Sequence, residues 1–162
     1  MTQKTQLWLV RTALISALYV ALTVSFSAFS YGPIQFRISE ILVLFPLWNR
    51  KWTPGVVLGT IIANFFSPLG MMDVLFGSGA TLIAVVLMTR LAKISNNYYA
   101  LLAPILANGF IIAIELKIVY GLPYWESVLS VGISEAIILI AGYYALTLMT
   151  RNSYFEKMLK AV

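Results

Sequence analysis

The stretch QFRISEILVLFPLW, residues 35–48, decides how the rest of this sequence must fold. Residues 41–47 include no polar side chain, so they belong in a membrane or in a protein core. Arg37 and Glu40 nevertheless stand three residues apart at the head of this run. Because burial of an isolated charge costs free energy, other parts of the chain must supply compensation for both side chains.

The composition is that of an integral membrane protein. Of the 162 residues, 60% are hydrophobic and 10% are charged, whereas about a quarter of the residues in a soluble domain are charged. The first apolar stretch lacks the features of a cleaved signal peptide, so we expect it to stay in the mature chain. Cysteine and histidine are absent. Their absence excludes disulfides, thiol nucleophiles, imidazole bases and the common zinc-ligand sets, and we expect no enzyme activity, cofactor or metal.

Charges and turn residues divide the chain into six apolar stretches. These are residues 12–29, 38–48, 54–66, 74–89, 94–114 and 127–150. Six membrane-spanning helices is the simplest count, but the second and third stretches are shorter than the roughly 17–25 residues that a spanning helix needs. They could instead form one re-entrant hairpin, which would leave four full spans. We treat residues 1–162 as one all-α transmembrane domain.

The Lys and Arg residues predict the orientation in the membrane. Nine of the eleven fall at one end of a six-span arrangement, and only Arg37 and Lys117 fall at the other. Positive charge accumulates on the cytoplasmic side of membrane proteins, so we expect both termini in the cytoplasm. This pattern accounts for the net charge of +5 without a nucleic-acid partner. The acidic and aromatic residues gather mainly at the outer end.

Three acidic residues lie at or near membrane depth. Glu135 stands eight residues past Ser127, roughly 12 Å along a helix, and either binds a ligand or is a hydrogen-bonded structural carboxylate. Glu115 points inward if Lys117 reaches outward, or else it is an interfacial residue at a helix end. Asp73 precedes the fourth stretch and is well placed as a helix N-cap.

Amides and aromatic rings accompany these acids. Asn64 and Asn108 could read the edge of a heterocycle, although amides more often join helices. Asn64 is the stronger candidate because it shares the acidic end. Phe36, Tyr124 and Trp125 belong to an outer group of aromatics that an interfacial belt largely explains. Carboxylates interleaved with aromatic faces favour a flat ligand that carries a cation or several N–H donors.

Small residues recur at every fourth position on two of the stretches. They are Ala13, Ala17 and Ala21 on the first, and Gly55, Gly59 and Ala63 on the third. Such spacing lets helix backbones approach closely in lipid. We expect the third stretch to pack inside this chain, whereas the alanine face could pack internally or dock on another membrane protein.

Three blocks of this sequence resemble a known family. IQFRISEILVLFP, PGVVLGTIIANFF and MDVLFGSGATLIA, within residues 34–84, resemble in order the signature blocks of the QueT family. These proteins are substrate-capturing S components of energy-coupling factor (ECF) transporters, assigned to precursors of the modified nucleoside queuosine. The resemblance implies six helices in a bacterial cell membrane, with both termini inside.

The resemblance also implies partners for this chain. S components dock through an alanine face of the first helix on a transmembrane T component, which two cytoplasmic ATPases drive. Ala13, Ala17 and Ala21 match that pattern, and the chain has no phosphate-binding loop of its own. An S component is thought to bind its substrate outside and then to topple in the membrane.

The ligand implied by the resemblance is a 7-deazaguanine such as preQ1 or preQ0. Its guanine-type edge would bind Glu40 or Glu135, and another acid would bind the amine if the ligand carries one. Asp73 and Glu115 are further candidates for substrate binding. We expect Asn64 to bind the ring carbonyl or a ring nitrogen, and the outer aromatic residues to stack on the ring. Arg37 would reach the headgroups or form an ion pair with Glu40 and position it.

Two other functions fit the residues. The chain could be an S component for another vitamin-like substrate, because this scaffold is shared and pockets vary. It could also be a small ion-coupled exporter of aromatic cations, in which Glu135 exchanges protons. The exporter would work without ATPase partners.

Overall fold

A computed structural model describes residues 2–32 and 34–160, and the regular elements in this part of the chain are all helical. The α-helices are α1 Gln3–Ser25, α2 Ser27–Ser30, α3 Thr53–Asn64, α4 Met71–Ile94, α5 Asn97–Ala100, α6 Leu102–Tyr120, α7 Tyr124–Met149 and α8 Ser153–Lys160. Two 3-10 helices, Ile38–Leu47 and Arg50–Trp52, lie between α2 and α3.

Four segments are long and apolar enough to cross a membrane. They are Thr5–Ser25, Met71–Ile94, Asn97–Tyr120 and Tyr124–Met149. The prediction of an all-α membrane protein is therefore confirmed.

The second and third predicted spans are short. The 3-10 helix Ile38–Leu47 has 10 residues and α3 has 12, so they extend about 20 Å and about 18 Å respectively. Neither crosses a hydrocarbon core of roughly 30 Å by itself. The count of six spans stays a prediction.

Two tryptophan hydrogen bonds show how the chain ends are placed. Trp8 Nε1 donates to the carbonyl of Lys51 at 3.3 Å, and Trp52 Nε1 donates to the carbonyl of Leu159 at 2.8 Å. The start of α1 and the end of α8 thus both lie beside residues 49–52. We call this end of the bundle the basic end. The cytoplasmic location of the basic end stays a prediction.

Helices α1 and α3 pack closely through glycine. A Cβ atom added to Gly55 would lie 2.9 Å from the carbonyl oxygen of Thr12, and one added to Gly59 would lie 2.8 Å from Cβ of Tyr19. Ser16 Oγ donates to the carbonyl of Gly55 at 2.7 Å. The predicted internal packing of the third stretch is confirmed.

The alanine face of α1 points away from the rest of the chain. Ala13, Ala17 and Ala21 are all exposed, and the window of α1 that qualifies as a span is 28% buried, against 33–50% in the other three long segments. The alternative that these alanines pack inside this chain is therefore wrong. The docking of another membrane protein on this alanine face stays a prediction.

The 3-10 helix Ile38–Leu47 lies among α1, α3, α4 and α7. Its Val43 and Leu44 are fully buried, as expected for a helix that is apolar on every side. Gly142 of α7 makes room for it, since a Cβ atom there would lie 2.9 Å from Cγ1 of Ile41. This packing fixes the head of the 3-10 helix, which carries Glu40, inside the bundle.

We predict that Gly59→Ala lowers the free energy of unfolding by about 1–3 kcal/mol, the usual range for overpacking. The added methyl group would meet atoms of Ser16 and Tyr19 on α1. Thermal denaturation of the detergent-solubilised protein measures the effect. The matched control is Gly79→Ala in α4, where an added Cβ meets no atom within 4 Å. Equal melting temperatures for the two variants would contradict the close packing.

Candidate ligand-binding site

Arg37 forms a buried ion pair with Asp73 at the end of the bundle opposite the basic end. Arg37 Nη2 lies 2.8 Å from Asp73 Oδ1 and 2.9 Å from Oδ2, and the two side chains are 6% and 0% exposed. Arg37 Nε donates to the carbonyl of Ser30 at 2.9 Å. Burial by itself would lower the pKa of Arg37, but the Asp73 carboxylate outweighs it and the pKa lies above its ordinary value.

This geometry corrects two predictions about Arg37 and Asp73. Arg37 is 5% exposed and does not extend to the lipid headgroups, and its ion-pair partner is Asp73 rather than Glu40. Asp73 is not the N-cap of α4, because Gly70 holds that position without a side-chain hydrogen bond. The apolar surroundings favour a direct charge partner for Arg37 over a distant headgroup.

Asn64 connects the two members of this ion pair. Its Oδ1 accepts from Arg37 Nη1 at 3.2 Å, while its Nδ2 donates to the carbonyl of Asp73 at 3.0 Å and to Ser78 Oγ at 3.2 Å. Gly77 leaves the necessary room, since a Cβ atom there would lie 2.7 Å from Asn64 Nδ2. Both ends of the amide are therefore in use. Asn64 positions Arg37 and Asp73 and does not line the adjacent cavity.

A polar cavity lies next to the ion pair. Its polar lining side chains are Gln35, Arg37, Glu40, Thr81, Asn108 and Glu135. They come from the segment before the 3-10 helix, from that helix, and from α4, α6 and α7. The cavity volume open to the centre of a water-sized sphere is about 10 Å³, which is room for about one water molecule.

Glu40 and Glu135 face this cavity. Both residues are buried, at 2% and 3% exposure. Tyr19 donates its hydroxyl hydrogen to Glu40 Oε1 at 2.5 Å, and Asn108 Nδ2 donates to Glu135 Oε1 at 2.7 Å. Glu40 Oε2 is buried without a hydrogen-bond partner. The fold thus brings two acids that lie far apart in the sequence to one small cavity and leaves at least one acceptor atom unused.

Gln35 is a cavity residue that the sequence analysis missed. It is 4% exposed, and its Nε2 has no hydrogen-bond partner. Its φ of 54° lies in the left-handed region, which residues other than glycine seldom adopt and which recurs at binding sites. The sequence feature that could have identified Gln35 as a site residue is its position two residues before Arg37. Tyr19, which donates to Glu40, was likewise not predicted, whereas Asn108, which donates to Glu135, was considered as a weaker candidate than Asn64.

The predicted aromatic residues do not line the cavity. Phe36 is half-buried outside it, and Trp125 is 69% exposed. Tyr124 stacks edge-on against Trp125, with ring centroids 5.1 Å apart. Among the described lining residues none is aromatic. The ring of Tyr31 lies beside the ion pair, with its centroid 5.7 Å from Cζ of Arg37.

Glu115 is buried but does not line the cavity. It is 0% exposed, and neither carboxylate oxygen has a hydrogen-bond partner. Its side chain thus points into the protein, as one of the two alternatives predicted, and its depth in the membrane stays a prediction.

The fold and the cavity define a helical, multi-pass membrane protein with a small buried polar cavity that two acids line. Residues 9–151 match the family described as QueT transporter, and the chain belongs to this family. The resemblance seen in the three sequence blocks is confirmed.

One relative with a named substrate class is a bacterial protein. The chain is 32% identical over 149 residues to the "Queuosine precursor transporter QueT" of Lactococcus lactis subsp. cremoris (strain MG1363), and the match covers 84% of this chain and 88% of that protein. No solved structure matches the chain.

We predict that Asp73→Asn lowers the free energy of unfolding by about 3–5 kcal/mol, because it leaves the buried Arg37 charge without its partner. Denaturant titration of the solubilised protein measures the loss. The control is Glu156→Gln, which breaks the ion pair with Lys160, where both side chains are more than 40% exposed. We expect no measurable change for the control. Unchanged stability of the Asp73 variant would show that the ion pair does not hold this end together.

Proposed function

We propose that this chain is the S component of an ECF transporter and captures a 7-deazaguanine precursor of queuosine from outside the bacterial plasma membrane. The observation that carries this proposal is the small polar cavity that Glu40 and Glu135 line. Membership of the QueT transporter family and the similarity to the Lactococcus queuosine precursor transporter support the substrate class.

The unused polar atoms of the cavity fit a guanine-type edge. Such an edge presents adjacent N–H donors beside a carbonyl oxygen. Glu40 Oε2 is a free acceptor and Gln35 Nε2 is a free donor, so together they can bind one N–H group and the carbonyl. Glu135 lies on another wall and can accept a further N–H group of the same ligand. Gln35 thus takes the part that we had predicted for Asn64.

Ligand binding requires the cavity to enlarge. A volume of about 10 Å³ does not admit a fused bicyclic ring. Of the described lining residues, Gln35 and Arg37 alone lie outside a helix. Because hydrogen bonds hold Arg37 on three sides, we propose that residues 34–36 move when the ligand enters.

The partners in this proposal are a transmembrane T component and two cytoplasmic ATPases. The exposed alanine face of α1 supports a docking role, because small side chains let another membrane helix approach closely. The basic end carries Arg50, Lys51, Arg90 and Lys157 on its surface. Their positive charge supports a cytoplasmic location for that end, and thus an outward-facing cavity.

We predict that Glu40→Gln and Glu135→Gln each weaken binding of preQ1 by roughly tenfold to hundredfold. Each change removes a charge-assisted hydrogen bond of about 1.5–3 kcal/mol. Isothermal titration calorimetry on the solubilised protein measures the affinity. Glu126→Gln is the control, because Glu126 is exposed in the first turn of α7. Unchanged affinity in both cavity variants would refute the proposed site.

We predict that Ala17→Leu weakens assembly with the T component and the ATPases but leaves ligand affinity unchanged. A larger side chain on the alanine face would keep a partner helix at a distance. Co-purification of the complex measures assembly. Ala141→Leu is the control, since Ala141 is equally exposed but lies on α7. Transport by the chain alone in liposomes would instead support the ion-coupled exporter.

A further inference from the structure

An open groove with positively charged walls lies at the basic end of the bundle. Its volume is about 470 Å³, within the roughly 300–1,000 Å³ of typical small-molecule sites. Thr5 and Trp8 of α1 line it together with Arg50, Lys51 and Pro54. The polar cavity at the other end of the bundle shares none of these described lining residues. The proposed ligand site therefore does not account for this groove.

Hydrogen bonds give the walls of the groove a fixed shape. Trp8 Nε1 donates to the carbonyl of Lys51 at 3.3 Å, which joins the two walls. The side chain of Asn49 accepts from the backbone N–H of Lys51 at 3.1 Å, so two hydrogen bonds hold the backbone of this lysine. Next to Pro54, the close packing of Gly55 against α1 closes the groove on that side.

The charge of the groove favours an anion. Arg50 and Lys51 are both exposed, and none of the described lining residues is acidic. Arg50 Nη2 donates to the carbonyl of Thr89, but a guanidinium carries five N–H donors, so others are left for a ligand. Glu156, on α8 at the same end, is paired with Lys160. A ligand in the groove therefore meets two cations whose charge no lining carboxylate offsets.

The groove also lies at the edge of a segment that can cross the membrane. Thr5 is the first residue of the segment Thr5–Ser25, and Trp8 lies in its first turn. Tryptophan is enriched at the level of the lipid headgroups, because its ring is apolar and its N–H is polar. The rings of Trp8 and Pro54 give the groove an apolar surface beside its two cations. This combination matches a phospholipid, in which a phosphate lies next to hydrocarbon chains.

We propose that this groove binds an anionic phospholipid. The phosphate accepts hydrogen bonds from Lys51 and Arg50, and the start of an acyl chain lies against Trp8 and Pro54. In the orientation proposed above, the basic end faces the cytoplasmic leaflet, which carries negatively charged lipids. The bound lipid holds the start of α1 at a fixed depth in the membrane. This inference goes beyond the proposed function, because it concerns neither the queuosine precursor nor the partner subunits.

Native mass spectrometry of the solubilised protein tests this proposal. The protein is titrated with phosphatidylglycerol and, separately, with phosphatidylcholine that has the same acyl chains. We expect phosphatidylglycerol to bind about tenfold more tightly, because two basic residues near a headgroup favour a lipid with net negative charge. The choline group of phosphatidylcholine offsets the charge of its phosphate.

Two lysine variants locate the binding site. In Lys51→Gln we expect the affinity for phosphatidylglycerol to fall about fivefold, which corresponds to about 1 kcal/mol for one basic residue near a headgroup. Lys157→Gln is the matched control, since Lys157 is exposed on α8 at the same end but does not line the groove. We expect no loss of affinity in the control. Because both lysines are exposed, we also expect both variants to melt at the temperature of the unaltered protein.

Each competing explanation predicts a different result. Equal affinities for the two lipids in the unaltered protein would show that the groove does not select an anion. Equal losses in Lys51→Gln and Lys157→Gln would assign the preference to the charge of the whole basic end. Equally tight binding of glycerophosphoglycerol, the same headgroup without acyl chains, would show that a free phosphate ester suffices. Loss of the lipid on assembly with a T component would assign the groove to that partner. Any one of these results would overturn the proposal.

Discussion

The ion pair between Arg37 and Asp73 joins parts of the chain that are 36 residues apart. Asn64 bonds to both of its members, so the head of the 3-10 helix, the end of α3 and the start of α4 meet at one point. Gly77 leaves space for this contact. Removing one partner from such a buried pair strongly lowers the free energy of unfolding. This ion pair is therefore the interaction that holds the cavity end of the bundle together.

The same ion pair sets the electrostatics of the cavity. Because Asp73 matches Arg37, the charge of Arg37 is not available to compensate Glu40 and Glu135 in full. Neutral donors from Tyr19 and Asn108 hold these acids instead. The site is thereby suited to a ligand that brings N–H donors, which agrees with the 7-deazaguanine that we propose.

Helix α1 contributes to both of the proposed interactions. On one side Tyr19 donates a hydrogen bond to Glu40, and Cβ of Tyr19 and the backbone of Ser16 pack against Gly59 of α3. On the other side lies the exposed alanine face, Ala13, Ala17 and Ala21. Because Tyr19 donates to Glu40, the proposed docking face and the proposed binding site share helix α1.

The sequence by itself determined the membrane class, the family and the glycine packing of α3, and it singled out Glu40 and Glu135, which the fold buries. These follow from hydropathy, residue spacing and recognisable blocks, which are local properties of the chain. Only the tertiary structure decided that Arg37 pairs with Asp73, that Asn64 positions this pair, and that Gln35 rather than an aromatic ring lines the cavity. These contacts form between side chains from segments that are distant in the sequence. In the low-dielectric interior each buried polar group needs a direct hydrogen-bond or charge partner, so the fold determines which groups pair. No pattern within one segment contains that information.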